Sequence, residues 1–314
     1  MPHYLRGRHA AVPDDVRPQL DQYLAARAVP RGIRMRKHAD LLFQIVSLTT
    51  LIVALVALAA LVFDIFSDGA SRLSFQFLSN IASRNADEAG VYHALMGSIW
   101  VIALTGALAL PIGVAAAIYL EEYGTRSRAA RFIELNIANL AAVPSIIYGL
   151  LGLGVFVRLM GMGQSVMAGA ATLALLALPV VILSTREALR TVPKTIREGS
   201  YALGATKWQT IWHQVLPMAT PGVLTGLILA LSRAIGETAP LITIGALTYI
   251  PFAPDSVWSK FTVLPIQVFN WVSRPQAEFK TNAAAGILVL LVLLLSMNAI
   301  AIIVRDRQQR QGRA

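Results

Sequence analysis

Arg186-Glu-Ala-Leu-Arg-Thr-Val-Pro-Lys-Thr-Ile-Arg-Glu198-Gly-Ser-Tyr-Ala-Leu-Gly204-Ala-Thr-Lys-Trp-Gln-Thr-Ile-Trp-His-Gln-Val-Leu216-Pro217 is a polar stretch set between two long apolar runs. Its residues are ordered in a way that a random coil does not need. Ile196, Tyr201 and Leu203 belong to one short helix, and Gly204 is placed to end it in the left-handed conformation. Thr206, followed three residues later by Gln209, reads as a capping box that opens a second helix. Trp208, Ile211, Trp212 and Val215 then make an apolar stripe at helical spacing. The stretch predicts two short amphipathic helices meeting at a glycine bend. Periodicity leaves two readings of this elbow open: a pair of interfacial helices with tryptophans turned to the membrane, or a compact lever that transmits force.

Outward from the elbow the chain is dominated by apolar runs. Of its 314 residues 56% are hydrophobic and 14% charged, against roughly 25% charged in a soluble domain. A bilayer core about 30 Å thick needs about 20 apolar residues in a helix. Six runs qualify: Leu41–Phe63, Ala94–Leu120, Phe132–Val157, Val166–Thr185, Met218–Ile250 and Ala283–Val304. The reading is an all-α, polytopic membrane protein with six transmembrane helices. The fifth run is too long for one straight span, and Gly236, Pro240 and Gly245 are expected to break it into a spanning helix and an outer or re-entrant piece. The first is preceded by a long polar tail and is longer than a signal-peptide core, so it is expected to remain as a span.

Basic residues fall in the N-terminal tail, the loop after the second run, the elbow and the C-terminal tail. Twenty lie there, against six on the opposite side. The positive-inside rule therefore puts both termini in the cytoplasm. The expected organisation is a mostly disordered tail over residues 1–40, a first transmembrane helix over 41–66 and an outer loop over 67–93. A core transmembrane domain over 94–304 contains the cytoplasmic loop 186–217, and a basic tail covers 305–314. The cluster Arg31–Lys37 has two readings, a contact with anionic lipid head groups and a plain orientation signal.

The net charge of +10 is explained by this topology, so no nucleic-acid partner is expected. There are no cysteines, which excludes disulfides and thiolate sites. The histidines (His3, His9, His38, His93, His213) lack metal-ligand spacing and read as loop or interface residues. Pro111, Pro144 and Pro179 predict kinks. Asn139 and Ser145 read as interhelical hydrogen-bond residues, and Trp258 and Trp271 as anchors at the outer interface. Carboxylate pairs or histidine clusters that would mark an intramembrane enzyme do not occur in the runs.

The spacing inside the elbow carries a resemblance. Glu198, six residues to Gly204 and twelve more to Leu216-Pro217 resembles the EAA loop of ABC importer permeases, with Gly199 and Ser200 standing where that family has two alanines and Gln214 where it has isoleucine. Ala202, Leu203 and Ala205 complete the bend. The resemblance implies the type I importer permease fold, with the elbow as the coupling helix docking on a cytoplasmic ATPase. Asn139-Leu-Ala-Ala-Val-Pro144-Ser145-Ile-Ile-Tyr148-Gly149-Leu-Leu-Gly152, Leu183-Ser-Thr-Arg-Glu-Ala-Leu189 and Ala234-Ile-Gly236-Glu237-Thr238-Ala239-Pro240-Leu241 resemble permeases of phosphate importers. Two paralogous permeases pair in such a system. The last motif, with Leu264-Pro265-Ile266-Gln267 and Asn270-Trp271, resembles the one that partners a PstC-like subunit.

The resemblance implies a non-catalytic permease, with a PstC-like permease, a PstB-like ATPase dimer and a PstS-like phosphate-binding protein as partners and inorganic phosphate as substrate. No cofactor is expected on this chain. It has no Gly-Lys dipeptide and hence no Walker A loop, so ATP and Mg fall to the ATPase. A permease for another oxyanion, the paralogous phosphate permease, and a secondary transporter stay as alternatives; the last needs inverted repeats, and none is evident.

Arg233 and Glu237 stand four residues apart in an apolar run, a spacing at which they can pair on one helix face. Charges in a span are expected to face a bundle interior or a wet cavity. The expectation is that Arg233 lines the translocation path, with Glu237 as its alternate partner and Thr238 beside them. The competing expectation is a fixed structural ion pair.

Overall fold

The computed structural model describes residues 31–124, 127–246 and 249–311. The described residues are helical, with turns and extended connections and no strand. They fall into two units that divide between Phe63 and Asp64.

The described residues of the first unit belong to a single helix. Helix α1 (Arg31–Gly69) runs through 39 residues and passes beyond the division, about 58 Å at 1.5 Å per residue and so longer than the apolar core of a bilayer. It opens ten residues before the apolar run, so residues 31–40 extend the helix where a disordered tail was expected. Residues 1–30 of that tail lie outside the described residues. Leu42, Phe43, Val53 and Phe63 are all exposed. A helix that is apolar on every side is one whose solvent is hydrocarbon.

The second unit begins with a 3₁₀ turn, Ala70–Arg72, and a short helix, α2 (Phe75–Ser79). Helix α3 (Tyr92–Ile118) is continuous through Pro111 and ends in a widened π turn, Tyr119–Tyr123. Helix α4 (Arg128–Ala141) and α5 (Ser145–Gly152, prolonged by a π segment to Leu159) follow, then α6 (Val166–Arg190). The elbow is α7 (Lys194–Ala202) and α8 (Lys207–Thr210, continuing through a π turn to Val215). Helix α9 (Leu216–Gly236), the short α10 (Ala239–Ile244), α11 (Leu264–Val272) and α12 (Glu278–Gln311) complete the order.

Five stretches are long and apolar enough to cross a bilayer as single helices: Ala39–Arg72, Tyr92–Tyr123, Val166–Arg190, Lys207–Gly236 and Glu278–Arg307. The sixth expected span is not straight. Helices α4 and α5 meet at 105°. Pro144 has no amide hydrogen and pushes the residue before it out of the helical region, and it adopts φ −55°, ψ 136° here. On α4 only Ala130 and Ile137 are buried. Asn139 is exposed rather than bonded between helices, and the bond across the break runs from Tyr148 Oη to the Leu140 carbonyl, 2.8 Å.

Helix α6 is the centre of the second unit, with α3 and α9 packed along it. Small residues let the backbones approach, as expected where helices associate by close packing and not by escape from water. Ala109, Ala174, Ala177, Val181 and Ala230 form one buried cluster. A Cβ on Gly226 would stand 1.9 Å from Ser184 Oγ.

The fifth run breaks where expected. Helix α9 ends at Gly236, Glu237 is extended, Pro240 opens α10 and Gly245 closes it at φ +103°. Two expectations fail at the other end of the unit. Trp271 is fully buried, packed in a core with Phe77, Leu264 and Phe279, and is not an interface anchor. His93 lies buried in α3 with Nε2 3.2 Å from Gln267 Oε1, not in a loop or at an interface. Both follow from α11, which folds Leu264–Trp271 back onto α3 and α12; of its motif residues Leu264, Pro265, Ile266, Gln267 and Trp271 are core and Asn270 is half-buried.

Candidate functional site

Two places gather the residues that the sequence singled out. The first is the elbow. Helix α7 ends in a Schellman motif: Gly204 N–H donates to the Tyr201 carbonyl (2.9 Å) and Ala205 N–H to the Ser200 carbonyl (3.1 Å), with Gly204 at φ +85°. That arrangement satisfies the last carbonyls of the helix and favours a residue without a Cβ. Thr206 and Gln209 form the reciprocal capping box that opens α8. The Ser200 and Thr210 hydroxyls meet at 2.8 Å across the bend.

The apolar stripe of α8 divides between two faces. Ile211 and Val215 are fully buried against Ala117, Ile118, Leu189 and Val192, whereas Trp208 and Trp212 stack on each other on the exposed side, ring centroids 5.7 Å apart. The bend itself projects. Leu203 is 90% exposed, and Glu198, Gly199, Ala202 and Gly204 are exposed around it. Ser200 and Ala205 are half-buried beneath. Leu216 and Pro217 are not part of this tip. They form the first turn of α9, which continues α8 without a break, so that Pro217, having no amide hydrogen to donate, follows directly on the π turn.

The arginines here, topology markers by their sequence positions, meet acids that no motif singles out. Arg186, its side chain 6% exposed, reaches Glu134 (Nη1–Oε1 2.8 Å) and Glu121 (Nη2–Oε2 3.4 Å). Arg190 pairs with Glu121 at 3.0 Å and Arg197 with Glu122 at 2.7 Å. Glu121 and Glu122 sit in the π turn that ends α3. The available signal was an acidic pair directly after an apolar run, in a region otherwise rich in arginine.

The second place is the end of α9. Arg233 Nε lies 3.4 Å from Glu237 Oε1, so the i, i+4 pair forms. Thr238 is the cap residue of α10, half-buried, its carbonyl accepting from Ile242 N–H at 2.9 Å. One residue before Arg233, Ser232 Oγ donates to Asn298 Oδ1 on α12, 2.6 Å. Ala230, Ala234 and Ile235 are buried, which turns Arg233 the other way. Its side chain is 57% exposed. Arg233 does not face the interior of the bundle; it stands on a face that the described residues leave uncovered.

A long central helix with spans packed on either side, a projecting two-helix elbow and a charged pair on an open face describe a polytopic helical membrane protein with two exposed features. The chain matches the family of binding-protein-dependent transport system inner membrane components over residues 109–310, and it belongs to that family. It is a multi-pass membrane protein. The probable ABC transporter permease protein YqgI of Bacillus subtilis is 33% identical over 77% of this chain and 88% of its own length. The phosphate transport system permease protein PstA 1 of Mycobacterium tuberculosis strain H37Rv is 35% identical over 71% of this chain and 72% of its own. PstA of Yersinia pestis is 32% identical over 85% and 90%. In fold the chain resembles a chain of the MetNI methionine ABC transporter, with a TM-score of 0.55, 20% identity, and coverage of 70% of this chain and 96% of that one.

Proposed function

We propose that this chain is the PstA-type permease subunit of an ATP-driven importer of inorganic phosphate. In this reading it sits in the bacterial cytoplasmic membrane with both termini in the cytoplasm. It forms the translocation path with a paralogous PstC-like permease. A PstB-like ATPase dimer binds ATP and Mg and docks on the elbow through Leu203 and the residues from Glu198 to Ala205. Leu216 and Pro217 carry that movement into α9. A PstS-like protein delivers phosphate from outside. This chain itself catalyses nothing.

The observation that carries the reading is Arg233. A guanidinium in a span, more than half exposed in the isolated chain, is stable only if something polar covers it in the assembly. A path shared with a second permease supplies water and an anion there. From Pro217 to Arg233 is about 24 Å along the helix, at or beyond the bilayer midplane. Guanidinium stays charged and offers a fork that matches two phosphate oxygens. Glu237 competes for the same guanidinium, so the anion is held weakly enough to leave. Alternating access follows when ATP-driven closure of the ATPases pushes the elbow and rocks the spans.

Purification of the tagged chain in mild detergent, with identification of what accompanies it, tests the assembly. An ATPase and a second permease of similar length are the expected companions. A chain that purifies alone, or with no ATPase, contradicts the importer reading. Competition of phosphate uptake by sulfate and molybdate then separates phosphate from the other oxyanions that the same guanidinium suits.

A further inference from the structure

Two arms of the elbow converge on one residue of the α3 turn. From α7, Arg197 places Nη2 2.7 Å and Nε 3.1 Å from the same oxygen, Glu122 Oε1. From the start of α8, Lys207 Nζ donates to the Glu122 backbone carbonyl and lies 4.6 Å above the Tyr123 ring. The Glu122 side chain is 8% exposed and that of Arg197 17%. Charge-assisted bonds so shielded are short, strong and little screened by salt. Arg197 also donates to the carbonyls of Val192 (2.8 Å) and Leu189 (3.0 Å), so α7 keeps its place beside α6 even when the carboxylate is lost. The turn that bears Glu122 is π-helical, a local widening that is frequent at functional positions in helices. Beyond it, α3 packs along the central α6.

We propose that Glu122 is a positioning residue through which movement of the elbow becomes movement of α3. Resting on the importer reading above, this gives the elbow a route to the spans other than its covalent continuation into α9. Ile211 and Val215 hold the elbow against Ala117 and Ile118 by apolar packing alone; the Glu122 bonds add directional, charge-assisted contacts. Glu121, which pairs with Arg186 and Arg190 of α6 and not with α7 or α8, has no part in it.

The test uses the whole importer in proteoliposomes, with inorganic phosphate as substrate, and reads the phosphate moved per ATP hydrolysed. Glu122→Gln is expected to lower that ratio about tenfold while hydrolysis stays within about twofold of wild type. Glu122→Asp restores most of the ratio, and Glu121→Gln leaves it unchanged. Lys207→Met, at an exposed position that does not threaten folding, lowers it in the same direction by less. An unchanged ratio in Glu122→Gln overturns the proposal. So does a parallel fall of uptake and hydrolysis, which marks a merely structural role, or an equal loss of ratio in Glu121→Gln. A wild-type complex that hydrolyses ATP but moves no phosphate overturns the proposed function itself, and this inference with it.

Discussion

Arg186 Nη1 stands 2.8 Å from Glu134 Oε1, which ties the elbow end of α6 to the amphipathic α4. The guanidinium is almost fully buried, and its Nη2 also reaches Glu121. Removing a buried partner leaves charges without compensation, at 3–5 kcal/mol in the general case, less here because Glu134 is partly exposed. Arg186→Gln is expected to lose about 2 kcal/mol, seen as a fall of roughly 4–8 °C in the thermal midpoint of the purified chain. A midpoint within a degree of wild type would show that the network is ornamental.

Gly204 is at φ +85°, where a residue with a Cβ is destabilised by about 1–2 kcal/mol. A methyl group there meets nothing within 4 Å, so the effect of Gly204→Ala is conformational and local. The elbow is expected to open more often and to be nicked by protease on the order of tenfold faster, with the spans intact. Gly204→Asn, which tolerates the left-handed region better, should fall between. Equal cleavage rates in Gly204→Ala and wild type would contradict the Schellman geometry.

At Gly149 the limit is space. A Cβ there would stand 1.9 Å from Thr243 Oγ1 and 2.6 Å from Pro240 Cα. The hydroxyl can turn aside but the proline backbone cannot. Gly149→Ala is expected to push α10 off α5, destabilising by about 1–3 kcal/mol and lowering uptake, because α10 follows Glu237 and Thr238 directly. Adding Thr243→Ala should give no rescue of either stability or uptake. Recovery in the double variant would show that Thr243, not the backbone, sets the contact.

Much of this architecture is legible in the chain itself, because hydrocarbon accepts only long apolar helices and the elbow is built from local signals. The capping box at Thr206, the left-handed Gly204 and the breaks at Gly236, Pro240 and Gly245 all act within a few residues of themselves. What was not legible depends on distant partners. Trp271 looked like an interface anchor because its burial requires Phe77 and Phe279 to be brought to it. Pro144 announced a kink, but a 105° turn also needs the amphipathic face of α4. The acids Glu121, Glu122 and Glu134 gain meaning only when the end of α3 and the middle of α4 lie beside the arginines of α6 and α7. Arg233 and Glu237 were legible as a pair by spacing, but not the uncovered face on which they stand.

In the proposed importer Arg233 meets the transported anion while Glu237 competes for it. Charge-assisted hydrogen bonds are each worth about 1.5–3 kcal/mol, so losing them should slow uptake roughly 10- to 100-fold. Phosphate uptake into proteoliposomes holding the complete complex, compared between wild type and Arg233→Gln at equal complex content, tests this most directly. That fall is expected with the complex intact and ATP still hydrolysed. Uptake by Arg233→Gln at the wild-type rate would contradict it and leave the pair a structural clasp.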